Sequence, residues 1–450
     1  MDTISWQWII MILVNIGLFM ISPWSNKVND FFRGSKDDKQ PDAFLLTSSM
    51  VICWLFAKSI TNAADLGFQF GIVGGVAYAG YYLSFIVAGL VIYQMRTKGG
   101  FKSIHHFLQT KYGNAAVALF TVLITFRLLN EIWSNTMIVG SYFGEKGSTQ
   151  YFASLIVFTL LTLAYTLKGG MRTSIITDLI QMAFFVLLMA MILIYIIPKT
   201  EGGVSTFLQS GEWKMEHGLN LFFVAIIQVM SYPFHDPILT DRGFIANPKT
   251  TLKSYTFSTI IGAVCIILFS FVGIFAKSQQ LDAPATISVA KFFGTTLLLV
   301  MNTIMLTSAA ATIDSTFTST AKLVHIDLLK EKGISVSKAR LTMITIAVVG
   351  TIPILFNPEI LSATTISGTM VMGLAPIFVF WNLDAPKISY FNSVIAGILF
   401  GFWMVFYPVP DFMVFTSGKY ADLLSINLFG TIVCFAVFLL PILFKKKGES

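Results

Sequence analysis

The sequence predicts an all-α integral membrane protein of about thirteen transmembrane helices. Three observations carry this. Hydrophobic residues fill 55% of the 450 positions and charged residues only 12%, about half the charged share of a soluble domain. Apolar segments of about 20 residues recur from one end to the other, and a segment in lipid satisfies its own backbone only as a helix. The lysines and arginines between these segments are sorted to alternate loops, as the positive-inside rule requires.

The first span, residues 5–22, follows a start ("MDTISWQW") with no basic cluster and precedes no small-residue cleavage site. It reads as a retained helix and not a signal peptide, and is called helix zero. Core helices one to twelve are expected at 47–68, 72–95, 114–142, 151–167, 174–198, 219–246, 253–276, 293–325, 338–356, 360–381, 389–407 and 424–444. The polar gaps reach only about 20–25 residues, too short for a soluble domain, so the whole of 1–450 is expected to be one transmembrane domain. With the N-terminus outside, the cytoplasmic loops hold 22 of the 30 Lys and Arg residues and the external loops 6. The C-terminal "FKKKGES" is then cytoplasmic. The two remaining cations, Lys58 and Arg127, fall inside spans. Cys53, Cys265 and Cys434 all lie in apolar segments, which implies buried thiols and no disulfide framework.

Two core helices carry signs of interruption. Core helix one holds Ser59, Thr61 and Asn62, whose side chains compete for backbone hydrogen bonds, with Gly67 following. Core helix six reads "SYPFHDP", with Pro233 and Pro237 around His235 and Asp236. A broken helix in lipid is tolerated where it lines a cavity or is buried in protein. Broken helices five apart, at matching positions of two halves, point to an inverted-repeat carrier fold with its site at mid-membrane.

Ionisable residues at membrane depth are costly and face the bundle interior. Arg127 and Glu131 are four apart in core helix three, the spacing of an intrahelical pair. Asp178 lies near the start of core helix five, where it can cap or gate. His235 and Asp236 read as substrate-pathway residues. In core helix eight Ser308, Thr312, Ser315 and Ser319 fall on one face. That face suits helix packing or oxygen ligation of a hard cation, and both readings stand.

Several segments, in order, resemble the sodium:solute symporters, the group of proline, sugar, sialic-acid and urea carriers. "YTLKGGMRTSIITDLIQ" (165–181) is similar to the signature between that family's core helices four and five. "AAATIDSTFTST" (309–320), followed by Asp327, resembles its eighth core helix, and "RGFIANPK" (242–249) the stretch after its sixth. The resemblance implies a leucine-transporter-type 5+5 inverted-repeat core, with repeat one over about 47–198 and repeat two over about 219–381. The peripheral helices are then helix zero and those at 389–407 and 424–444. It implies a sodium site made by the carbonyls of Ala57, Ile60 and Ser308 with the Thr312 hydroxyl. A second hydroxyl usual in the family is here Ala311. Asp178, with Ser315, matches a second ion or gating position. His235 and Asp236 fall at a substrate-contacting pair, and Asp65 and Asn62 lie near the helix-one residues that touch substrate.

The expected activity is secondary active import of a small polar solute by alternating access across the cell membrane, coupled to sodium. Sodium is a co-transported ligand, and no cofactor is expected. The partners are the solute, sodium or a proton, and the lipid bilayer. Basic residues scattered among short loops give no nucleic-acid footprint. An enzyme would need a clustered nucleophile, metal ligands or an acid–base pair, and the five histidines show no metal spacing. A sensor would need an attached signalling domain.

Lys58 lies about ten residues from either end of its helix, so roughly 15 Å of apolar depth flanks it on each side. Snorkelling is a poor answer at that depth. Glu131, Asp65 and Asp178 are the candidate partners. Either the ammonium takes sodium's place, making transport proton-coupled or ion-independent, or Lys58 pairs with core helix three and fixes geometry. Direct contact with substrate is a third reading.

Overall fold

The structure is a computed structural model that describes residues 2–35, 39–329, 334–356 and 367–444. Its helices in chain order are α1 (Thr3–Ile21), α2 (Ala43–Trp54), α3 (Ala57–Phe70), α4 (Ile72–Thr97) and α5 (Asn114–Ser141). They continue as α6 (Thr149–Gly169), α7 (Met171–Ile196), α8 (Leu219–Gln228), α9 (Pro237–Arg242) and α10 (Pro248–Ser278). The last five are α11 (Thr295–Lys322), α12 (Val336–Thr351), α13 (Ser367–Val379), α14 (Lys387–Phe406) and α15 (Ala421–Leu443). Among the described residues ten helices are long and apolar enough to cross a membrane, at ten of the expected spans. The bent pair α2–α3, the short apolar helix α8 with α9 after it, and α13 stand at the other three. Residues 360–366 of expected core helix ten, and Lys445–Lys447, lie outside the described residues.

The ends of these helices follow from local chemistry. Asp2 opens α1, its carboxylate accepting the Ser5 N–H at 2.9 Å. The Ser5 hydroxyl first, and then that N–H, hold the Asp2 pKa below the ordinary range. Core helix one bends by 61° between α2 and α3. The break falls at Leu55 and Phe56, four residues before the polar cluster expected to cause it. Phe56 is extended, and its carbonyl restarts the ladder by accepting the N–H groups of Ser59 (2.8 Å) and Ile60 (3.1 Å). Ser59, Thr61 and Asn62 lie inside α3. In core helix six α8 stops at Gln228, and a 3-10 turn, Tyr232–His235, leads into α9. Both prolines sit at helix starts, Pro233 in that turn and Pro237 in α9. There the missing N–H costs nothing.

The chain divides into two compact units. The first comprises residues 1–76, 128–212 and 260–358. In it α7 packs on α2 and α11, and α11 packs on α12. The second half of the broken helix approaches the latter part of α10 backbone to backbone. A Cβ at Gly273 would overlap the Ala64 carbonyl, and one at Gly67 the Ser270 carbonyl. The linker after α1 lies over the α6–α7 corner, where Gly169 and Gly170 leave room for the Pro23 and Phe31 carbonyls. Arg340 of α12 staples that linker. Its Nε donates to the Leu167 carbonyl at 2.7 Å and Nη2 to the Ser25 carbonyl at 3.0 Å, and the guanidinium lies over Trp24.

The second unit comprises residues 77–127, 213–259 and 359–450. Here α14 packs on α15, and α8 packs on α15. Phe234 stacks on Phe378 of α13 at 4.1 Å. A buried amide chain runs from the Tyr81 hydroxyl to Gln228 (3.0 Å), on to Asn427 (2.9 Å) and to Thr369 (3.2 Å).

Candidate functional site

In the first unit the break of core helix one faces the hydroxyl-rich stretch of α11. The last carbonyls of α2 have no helical N–H to accept from. One of them, the Cys53 carbonyl, lies 3.3 Å from Thr312 Oγ1, which is also 3.1 Å from the Ser308 carbonyl. The threonine has one proton, so its hydroxyl serves one of the two oxygens at a time. Two carbonyls and a hydroxyl thus converge in a fully buried place. Hard cations take this ligand chemistry. Ala57 and Ile60, expected here, lie one turn or more further on, inside α3. The Ala57 carbonyl instead accepts the Thr61 hydroxyl at 3.0 Å. The bend at Leu55–Phe56 thus sets the Cys53 carbonyl, one turn earlier, against α11. Cys53 carried no ligand signal in the sequence, being a thiol in an apolar run.

A carboxylate cluster adjoins this point. Asp178 accepts from the Ser49 hydroxyl, and its oxygens lie 3.5 and 3.6 Å from Cys53 Sγ. Ser315 Oγ is 3.1 Å from Cys53 Sγ and 2.9 Å from Ser174 Oγ. Asp314 accepts from Ser174 (2.7 Å), Tyr165 (2.8 Å) and Thr177 (3.2 Å). Both aspartates are fully buried. The structure therefore brings Asp178 together with Ser315 and Thr312, which lie more than a hundred residues further along the chain.

Lys58 is 0% exposed and Glu131 1%, and their side chains form an ion pair of 2.7 Å. Asn130 Oδ1 takes a second Lys58 proton at 3.0 Å, and the ammonium lies 4.9 Å from the centre of the Phe56 ring. Asn135 Nδ2 donates to the second Glu131 oxygen at 2.9 Å. Lys58 thus pairs with core helix three, one of the three readings its position leaves open. Arg127 and Glu131 each find a partner off their own helix. In the second unit Arg127 Nη2 donates to Asp236 Oδ2 at 3.1 Å, and the guanidinium lies over the Tyr232 ring.

Asp236 also caps α9, accepting the N–H groups of Ile238 (3.0 Å) and Leu239 (3.2 Å). His235 turns its Nδ1 to the Tyr232 carbonyl and packs edge-on against that tyrosine ring. In the first unit Asp65 accepts the Ala285 N–H at 3.1 Å, at the start of the short helix Ala285–Phe292. Asn62 is buried within α3.

No protein-family model matches this chain, and no curated protein matches it in sequence. Solved structures do. A Na+-coupled sialic acid symporter, in a substrate-bound outward-open state with a novel Na+ site, matches with TM-score 0.72 at 14% identity, over 98% of this chain and 97% of that one. Mhp1, a nucleobase-cation-symport-1 family transporter closed on bromovinylhydantoin, matches with TM-score 0.60 at 13% identity, over 93% and 95%. MhsT in complex with L-phenylalanine matches with TM-score 0.57 at 13% identity, over 88% and 97%. The class that these likenesses define is an all-α integral membrane protein with the inverted-repeat, leucine-transporter-type fold. Within that class, the chain matches the sialic acid symporter from end to end.

Proposed function

We propose that the chain is a secondary active transporter of the sodium:solute symporter type, importing a small polar solute across the cell membrane by alternating access and coupled to a sodium gradient. One observation carries the reading. The broken first core helix presents a freed carbonyl, Cys53, to Ser308 and Thr312 of α11, in a chain whose fold is that of Na+-coupled symporters. The cation ligands are then the carbonyls of Cys53 and Ser308 and the Thr312 hydroxyl, with Ala57 and Ile60 forming the next turn of the wall. Asp178 and Ser315 serve a second ion or the inner gate. Asn62 and His235 are the substrate-side candidates. Asp65 and Asp236 are engaged at helix starts. The bond from Lys58 to Glu131 supports a positioning role for this lysine and not the replacement of sodium.

The test is uptake into proteoliposomes together with thermal unfolding in sodium or potassium chloride. Sodium, not potassium, should raise the unfolding midpoint and drive uptake. Thr312→Val removes a ligand worth about 1–3 kcal/mol when buried. It should raise the sodium concentration for half effect roughly tenfold or more. Equal behaviour in the two salts, with uptake unaffected by the gradient, removes sodium from the mechanism.

A further inference from the structure

The buried amide chain of the second unit has a fixed direction, and that direction is set far from where it ends. A backbone carbonyl only accepts, so the Asn427 atom 2.8 Å from the Leu423 carbonyl is the amide nitrogen. Its second proton goes to Thr369 Oγ1 at 3.2 Å. Asn427 Oδ1 is thereby the acceptor, and it takes a proton of Gln228 Nε2 at 2.9 Å. Gln228 Oε1 must then face the other way, and it accepts the one hydroxyl proton of Tyr81 at 3.0 Å. Gly368 leaves room for this amide, since a Cβ there would lie 2.8 Å from Gln228 Oε1. Gln228 and Asn427 are buried, so the order is shielded from solvent, and each bond polarises the next.

The chain ends at a place suited to a solute. Tyr81 lies in the 3-10 turn Gly80–Tyr82 that interrupts α4, and it keeps part of its surface exposed. A polar group with that exposure inside a span faces the bundle interior or a water-filled cavity. Its ring lies 5.9 Å from Tyr232, which packs 4.8 Å from His235, a substrate-side candidate. With its proton committed to Gln228, the Tyr81 oxygen offers lone pairs only. We infer that Tyr81 contacts the solute as a hydrogen-bond acceptor, that Asn427 of α15 is the positioning residue that makes it one, and that the solute presents an N–H or O–H group there. This rests on the transport reading and narrows its substrate class. A solute with only an acceptor at that point would leave both oxygens unsatisfied in a buried place.

The direction of the chain can be read without a solute. The tyrosine doublet in ultraviolet resonance Raman spectra separates hydroxyls that donate from those that accept. The difference between wild type and Tyr81→Phe should show a donor. The same difference taken in Asn427→Leu should move toward an acceptor, because the Gln228 amide is then able to turn over. An accepting Tyr81 in the wild type, or an unchanged doublet in Asn427→Leu, overturns the assignment. Uptake in sodium by proteoliposomes tests the solute. The panel is amino acids, sugars, nucleobases and urea, each beside a counterpart with its N–H and O–H groups methylated. In the wild type the donor-bearing member should enter roughly tenfold faster or more. Asn427→Leu should narrow that ratio, which a loss of packing or of bulk tolerance would leave in place. Equal uptake of both members, or an unchanged ratio in Asn427→Leu, also overturns the assignment. The wild-type spectrum and the wild-type ratio decide even where Asn427→Leu does not fold. If Tyr81 reads as a donor while no solute of the panel enters, the transport reading fails and the direction of the chain stands.

Discussion

The Lys58–Glu131 pair concentrates the energetics at the scale of the residue. Two buried charges cost several kcal/mol each to desolvate, and only a close, fully hydrogen-bonded geometry offsets that. Removing one partner leaves the other charge uncompensated. Lys58→Met should therefore cost about 3–5 kcal/mol, whereas replacing both residues by methionine should cost much less. Thermal unfolding of the two purified variants separates these outcomes. Equal losses would mean that the pair contributes through packing alone. The sequence shows that these charges are buried but not whom they meet. Its i, i+4 spacing suggests an Arg127–Glu131 pair, yet such a pair contributes only about 0.2–0.5 kcal/mol on a helix surface. Lys58 and Asp236 sit at chain breaks and need opposite charges there far more, so tertiary partners win. Cys53 is the reverse case. Nothing in its residue type announces the contact with Thr312, because it is made by the backbone oxygen and not by the thiol.

Helices one and six, at the scale of the element, differ in how openly they declare their breaks. Two prolines announce the second, although both turn out to start a helical segment and not to end one. The first breaks at Leu55 and Phe56, two residues with ordinary helix-forming ability. Beyond that break α3 meets α10 backbone to backbone. Gly273 and Gly67 carry this contact, and an added methyl group would meet backbone that cannot swing aside. Gly273→Ala should then destabilise the protein by about 1–3 kcal/mol, as overpacking does. Gly17→Ala, on α1 with no neighbour within 4 Å of the new carbon, should be neutral or slightly stabilising. Unfolding midpoints of the two alanine variants make the comparison, and an unchanged Gly273→Ala would show that the two helices slide apart freely.

For the whole molecule, hydropathy alone anticipates the ten long apolar helices found among the described residues, because lipid leaves a chain few choices. The side-chain clusters are legible only in part, since they join residues from 72 to 262 positions apart. The loop charges predict an N-terminus outside. With native thiols all buried, Ser205→Cys, exposed on the short helix Val204–Leu208 after α7, should react with a membrane-impermeant maleimide on intact cells. Lys98→Cys, in the loop after α4, should react only after permeabilisation. The opposite pattern would invert the topology. The Arg340 staple has a consequence for biogenesis. It joins Ser25 to a side chain 315 residues later. At synthesis rates of about 5–20 residues per second, the linker beside α1 waits roughly 15–60 s for its clasp. Through that interval Trp24 and its neighbours lack the contact that finally holds them, and a chaperone or insertase has its opportunity to act there.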